Sequence, residues 1–141
     1  MKENICTIPI NDVFAPKCGC PMCRMEAMLE KNYVEYITGA AMMEPDIRTD
    51  TNNMGFCYTH FNMMVHHGKR LPNALILDTH LDKLMTELIP KEVKGKPDKK
   101  KLAKLEEIQH SCYVCNKMDW GMKHLMETIF KTWEKEEEFR Q

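Results

Sequence analysis

The chain has 141 residues, enough for one domain with a hydrophobic core. Its 20 basic and 21 acidic residues give a net charge of −1, which argues against a general nucleic-acid-binding protein. No run of 18 or more apolar residues and no signal-peptide pattern occurs, so a cytoplasmic protein without membrane contact is expected. Thiols stay reduced in that compartment, and seven cysteines then indicate metal or redox chemistry rather than disulfides.

Helical periodicity dominates the sequence, and no segment shows convincing strand alternation. Residues 1–19 are predicted to be irregular because Pro9, Pro16 and Gly19 interrupt them. Helices are predicted at 21–38, 57–68 and 72–89, with a short helical turn near 45–50 followed by an Asn-rich loop. Two more helices are predicted after residue 98. We therefore expect an all-α bundle of about five helices. The chain has 13 methionines, and we expect methionine side chains to fill gaps in the core of this bundle.

The expected domain organisation is a single globular domain made of two related parts. Residues 1–90 form a helical unit, and residues 91–98 form a basic linker. Residues 99–141 form an incomplete second repeat that packs on the first unit. The lysine-rich stretch 91–104 lacks interleaved aromatic residues, so a solvated connector is favoured over a nucleic-acid-binding segment.

A candidate metal site comes from two short motifs with the same internal spacing. Cys20 and Cys23 form a C-x2-C pair, and Cys57 and His60 form a C-x2-H pair 33 residues later. Both pairs lie at predicted helix starts, where residues three apart share one face. Three thiolates and one imidazole are a common structural zinc set, and helix N-termini stabilise thiolates. The sequence thus predicts a zinc site that joins two helix N-termini.

Other interpretations of these residues remain open. Cys18 adds a further thiol beside Cys20, so an iron–sulfur cluster is an alternative to zinc. A dithiol redox pair and a set of buried structural residues are also possible, although no βαβ context supports a thioredoxin-like motif. An iron–sulfur cluster or a dithiol redox pair would make the chain a redox-responsive or metal-responsive protein.

A second C-x2-C pair, Cys112 and Cys115, also starts an amphipathic helix, with Ser111 as its candidate cap. It indicates an internal repeat whose C-x2-H half is missing from the sequence. These two cysteines are expected to remain free thiols, to recruit His110 or His124, or to form a shared four-thiolate site in a dimer.

These motifs resemble an uncharacterised bacterial family with a domain of unknown function. Its pattern is similar to the sequence at residues 7–12, 20–23, 42–48, 55–60, 77–81, 112–115 and 137–140. The resemblance implies duplicated CPxC and GFCxxH motifs, of which this chain lacks the second GFCxxH. It supports treating Cys20, Cys23, Cys57 and His60 as one unit, and it implies no established activity.

No catalytic motif is evident, and four protein ligands would leave no open position for a substrate. The function predicted from the sequence is therefore a metal-stabilised helical module that binds a protein partner or self-associates, more consistent with a non-enzymatic role.

Overall fold

The computed structural model of the protein describes residues 7–89, 95–96 and 98–135, and every secondary-structure element in this part of the chain is helical. The prediction of an all-α fold is confirmed, but the described residues form seven α-helices rather than about five. They are α1 (Ile8–Phe14), α2 (Pro21–Ile37), α3 (Pro45–Met54), α4 (Tyr58–His66), α5 (Arg70–Glu87), α6 (Lys99–Gln109) and α7 (Tyr113–Lys135), with a 3₁₀ helix at Ala40–Met43.

Helix α1 occupies a segment that was expected to be irregular. Pro9 lies in the first turn, where the missing N–H of a proline breaks no intrahelical bond. Ile10 and Val13 are both buried, and their spacing of three residues places them on one face of the helix. The prediction was wrong because Pro9 lies in the first turn of the helix and does not interrupt it.

Helix α3 is also longer than the turn expected near residues 45–50. Pro45 begins it, Asp46 lies in its first turn, and its last residues include Asn52 and Asn53, which were assigned to a loop. Asparagine has a low helix propensity. Tertiary contacts of this helix with α5 outweigh that local preference.

The chain divides into two compact units. One comprises residues 1–32 and 117–141, and the other comprises residues 33–116. Helices α2 and α7 therefore each contribute residues to both units. The predicted linker, residues 91–98, lies mostly outside the described residues. None of the described helices combines the length and the apolar character needed to cross a membrane.

The core of the first unit is rich in methionine, as expected. Met25 is fully buried and packs with Ile10, Val13 and Ile129. Four further methionines pack against this cluster, together with Phe14 and Leu125: Met22, Met28, Met122 and Met126. Unbranched thioether side chains fill irregular space between helices, which suits the short α1 lying against longer helices.

A polar network joins α3 to α5 in the second unit. The guanidinium of Arg48 donates to the Leu75 carbonyl at 2.8 Å and to the Thr79 hydroxyl at 2.7 Å. That hydroxyl donates in turn to Oδ1 of Asn52 at 2.8 Å. Nδ1 of His80 lies 2.9 Å from the Asn52 carbonyl oxygen, at the last turn of α3. The network fixes the C-terminal end of α3 and thus the start of the turn that leads into α4.

Gly55 ends α3 in a backbone conformation that other residues rarely adopt. Its φ of 64° and ψ of −155° lie in a region that is essentially restricted to glycine. A Cβ at this position would lie 2.9 Å from Nε2 of His80 and 3.0 Å from Cε1 of the same ring. The turn therefore needs glycine both for its dihedral angles and for the close approach of His80.

Substitution of Gly55 should separate these two effects. Gly55→Ala should lower the free energy of unfolding by more than Gly68→Ala. Both residues have a positive φ, but a Cβ at Gly68 meets no atom within 4 Å. Backbone strain alone should cost about 1–2 kcal/mol at Gly68, and the contact with His80 should add to it at Gly55. Chemical denaturation of both variants checks this, and equal losses would contradict the role of the His80 ring.

Candidate metal centre

Two ligands come from the start of α4. Cys57 precedes the first residue of the helix, and its extended backbone, with φ of −70° and ψ of 164°, is that of an N-cap residue. His60 is the third helical residue. The Cys57 carbonyl accepts the first intrahelical hydrogen bond, from the N–H of Phe61 at 2.9 Å. The side chains of Cys57 and His60 then meet, with Sγ and Nδ1 3.2 Å apart.

The start of α7 supplies two more ligands in the same way. Cys112 precedes the first helical residue, and Cys115 is the third residue of the helix. The Cys112 carbonyl accepts the N–H of Asn116 at 3.0 Å, as an N-cap carbonyl does. Sγ of Cys112 and Sγ of Cys115 each lie 3.4 Å from Nδ1 of His60.

Two hydrogen bonds hold the turns before α4 and α7 together. The Ser111 hydroxyl donates to the Met54 carbonyl at 2.6 Å. The N–H of Tyr113, the first residue of α7, donates to the Gly55 carbonyl at 3.0 Å. These bonds join residues 57 and 58 positions apart in the chain. They place the N-terminus of α7 beside the N-terminus of α4, so that both ligand pairs face one point.

The four ligand atoms have the spacing that one metal ion requires. Sγ of Cys57, Cys112 and Cys115 and a ring nitrogen of His60 all lie within 4.8 Å of one another. The Cys57 and Cys115 sulfur atoms are 4.0 Å apart. A tetrahedral zinc ion, with Zn–S of about 2.3 Å and Zn–N of about 2.0 Å, separates its ligand atoms by about 3.5–3.8 Å. The cluster is therefore a Cys₃His set that could hold a metal ion.

Burial and hydrogen bonding differ among the four side chains. His60 and Cys112 are buried, Cys57 is partly buried and Cys115 is exposed. Burial acts to raise the pKa of Cys57, but hydrogen bonds from the backbone N–H of His60 and from the thiols of Cys112 and Cys115 outweigh it, so the pKa is lowered. Although the Cys115 residue as a whole is exposed, partial desolvation of its thiol, followed by the hydrogen bond with Cys112, raises its pKa to about 12. Full deprotonation of the cluster therefore needs a compensating cation.

The structure does not group the residues as the sequence analysis did. Cys57 and His60 have Cys112 and Cys115 as neighbours, and all four residues belong to the unit of residues 33–116. Cys20 and Cys23 belong to the other unit and are exposed, as is Cys18. Binding of a metal by Cys20 and Cys23 remains a prediction. Cys112 and Cys115 were expected to lack a C-x2-H half. In the structure they lie beside Cys57 and His60, which form one.

Cys20 and Cys23 nevertheless interact with each other at the start of α2. Hydrogen bonds from the backbone N–H and then from the thiol of Cys23 lower the pKa of Cys20. The same thiol contact, followed by repulsion between the two sulfur atoms, raises the pKa of Cys23. The two sulfur atoms are therefore neighbours on one side of the helix start.

The spacing of the motifs contains no signal that could have identified the grouping seen in the structure. The sequence offers two C-x2-C pairs, 20–23 and 112–115, for one C-x2-H pair. Both C-x2-C pairs precede good helices, and both have an apolar face that follows. The residues that decide the pairing, Ser111 and Gly55, act through tertiary hydrogen bonds.

Comparison with known proteins identifies the family of this chain. Residues 1–141 match a family described as a family of unknown function, DUF6062. The chain belongs to this family. Searches of curated proteins and of solved structures return no significant match. The resemblance to an uncharacterised family that the motifs indicated is thereby confirmed at the level of the family, and no activity follows from it.

Removal of the Ser111 hydroxyl should weaken the site without removing a ligand. Ser111→Ala leaves the Met54 carbonyl without its side-chain donor, which should cost about 1 kcal/mol of folding free energy. It should also make a bound metal easier to extract, because the turns before α4 and α7 are no longer joined at that point. Competition with a chromogenic chelator measures the second effect.

Thr49→Ala is a matched control for this variant. The Thr49 hydroxyl donates to the Pro45 carbonyl within α3, at 2.9 Å, and joins no two turns. Its removal should leave metal extraction unchanged. If both variants lose metal at the wild-type rate, the Ser111–Met54 bond does not support the site.

Proposed function

We propose that the protein is a helical module stabilised by one structural zinc ion, bound by Cys57, His60, Cys112 and Cys115. The observation that carries the proposal is the convergence of four single-atom ligands within 4.8 Å at the starts of two helices. Three thiolates and one imidazole are a donor set that zinc prefers. Four protein ligands leave no open coordination position for water or substrate, which favours a structural role over a catalytic one.

The spacing of the ligands favours one ion over an iron–sulfur cluster. A multinuclear cluster separates the cysteine sulfur atoms that bind it by the width of the cluster itself. Here each of the three sulfur atoms lies within 4.8 Å of the others and of the His60 ring nitrogen. A single tetrahedral ion fits this space.

The proposed role of the metal is to join two parts of the chain that are far apart in sequence. The ion would link the start of α4 to the start of α7, across 51 intervening residues. Binding to the folded state alone stabilises that state, by about 4 kcal/mol when the free ligand is at roughly 1,000 times its Kd. The module would then present its helical surface to a protein partner or to a second copy, inside the cytoplasm.

Elemental analysis of the anaerobically purified protein tests the proposal. The wild-type protein should contain about one zinc ion per chain, since the cluster supplies one set of four ligands. Cys112→Ser should lose the ion and several kcal/mol of unfolding free energy, because it removes a buried ligand. Cys18→Ser is the matched control, since Cys18 is exposed and outside the cluster.

Three results would contradict the proposed function. A zinc content that Cys112→Ser leaves unchanged would place the ion elsewhere. A brown protein that contains iron and sulfide would support a cluster. A metal-free protein with a Cys57–Cys115 disulfide in mass spectrometry would support a thiol-based redox role.

A further inference from the structure

Three helices of this chain begin with the same arrangement of ligand residues. In α2, α4 and α7 a cysteine immediately precedes the first helical residue, and a second ligand is the third helical residue. In each case the carbonyl of the first cysteine accepts the N–H four residues later. The three N···O distances are 3.2 Å for Cys20, 2.9 Å for Cys57 and 3.0 Å for Cys112.

The likeness between the starts of α2 and α4 extends to the sulfur atoms. Sγ of Cys57 accepts hydrogen bonds from the backbone N–H groups of Thr59 and His60. Sγ of Cys20 accepts them from the backbone N–H groups of Met22 and Cys23, at the same positions of its helix. The backbone N–H groups at the same two helix positions thus lower the pKa of the first cysteine in both helices.

The loop before α2 is held in place by one arginine. The guanidinium of Arg24 donates to the carbonyls of Val13, at 2.6 Å and 2.9 Å, and of Pro16, at 2.8 Å, and it also donates to the carbonyl of Cys18. These bonds fasten the loop to the end of α1. Cys20 and Cys23 are thus presented to solvent from a fixed backbone.

The unit of residues 33–116 shows which kind of partner completes a C-x2-C pair. There the C-x2-C pair of α7 meets a C-x2-H pair, and together they give four ligands. The 141 residues contain only one C-x2-H, at positions 57–60, and the structure pairs it with Cys112 and Cys115. Within the described residues, Cys20 and Cys23 belong to no group of three or more potential ligands.

We propose that Cys20 and Cys23 are the open half of a second zinc site, which a polypeptide segment with a C-x2-H motif at a helix start completes. The pair supplies two of four tetrahedral positions, and the segment would supply one thiolate and one imidazole. The ion then acts as the link between this chain and that segment. The inference rests on the proposed function, because it assumes that Cys20 and Cys23 bind zinc with the same kind of partner as Cys112 and Cys115. That partner is a C-x2-H pair.

The chain itself provides a probe for this site. A synthetic peptide of residues 55–66, GFCYTHFNMMVH, carries the C-x2-H motif with its own turn and helix start. The peptide is first added to the variant Cys57→Ser, in which it should restore the metal that the missing ligand removes. This step establishes that the peptide can act as a half-site.

The peptide and Co²⁺ are then added to the wild-type protein that already holds its first zinc ion. Ligand-field absorption of tetrahedral Co²⁺ and native mass spectrometry should show a second metal ion, in a complex of one chain and one peptide. The metal content should rise from about one to about two ions per chain, as expected for two sites with four ligands each. Cys18→Ser should behave like the wild type, and the double variant Cys20→Ser, Cys23→Ser should not take up the second ion.

Each other outcome overturns the inference. Peptide-dependent uptake that persists in the double variant would place the second ion away from α2. Uptake without peptide, with two chains for each ion, would identify a second copy as the partner. Absence of a second ion, with a peptide that restores Cys57→Ser, would show that the pair is not a half-site. Failure of the proposed function is a separate result, since it concerns the first ion and Cys112→Ser.

Discussion

The convergence of the N-termini of α4 and α7 is the constraint on which the unit of residues 33–116 depends. It requires the turn at Gly55 to offer its carbonyl to the N–H of Tyr113 and the Met54 carbonyl to accept from Ser111. The position of that turn depends on α3, because the end of α3 is hydrogen-bonded to Thr79 and His80 of α5. The packing of α3 on α5 therefore determines where the ligands of α4 lie, although neither helix contributes a ligand.

Electrostatics explain why the ligands lie at helix starts. The first N–H groups of a helix have no intrahelical acceptor, and they form the positive end of the helix dipole. A cysteine at the N-cap position can accept from two of them, as Cys57 does from Thr59 and His60. The helix thus satisfies its own free donors and stabilises a thiolate at the same time. Two helix starts are not enough for three thiolates, because desolvation, and after it the contacts with Cys112 and Cys57, raise the pKa of Cys115. A cation bound at the centre would favour the deprotonated form of all three thiols.

Much of the fold follows from the sequence, but the pairing of the ligand motifs does not. Helical periodicity and the positions of Pro21 and Gly55 predict the starts and ends of the longer helices to within a few residues. The short helix α1 was not predicted because Pro9 was taken as an interruption, although proline fits the first turn of a helix. The Asn-containing end of α3 was not predicted because tertiary packing outweighs the low helix propensity of asparagine there. Residues 57–60 were expected at a helix start, and the structure begins α4 at Tyr58. The pairing of Cys57 and His60 with Cys20 and Cys23 was inferred from their matched spacing and helix-start positions, which Cys112 and Cys115 share.

Distance along the chain does not distinguish the two possible pairings either. Pairing of Cys57 and His60 with Cys20 and Cys23 closes a loop of 33 residues, and pairing with Cys112 and Cys115 closes one of 51. Loop-closure entropy changes with the logarithm of length, so these alternatives differ by only about 0.4 kcal/mol. One well-formed hydrogen bond contributes more than this, about 1 kcal/mol.

The hydrogen bonds around each C-x2-C pair can therefore decide which pair meets the single C-x2-H. The loop before α7 places Ser111 and Tyr113 so that both donate to the turn before α4. In the loop before α2, by contrast, the carbonyls of Pro16 and Cys18 accept from Arg24, which also binds the end of α1. That loop is fastened to its own unit, and its two cysteines remain exposed. The two C-x2-C motifs thus have different surroundings, because the residues beside them, and not the cysteines, determine what each motif meets.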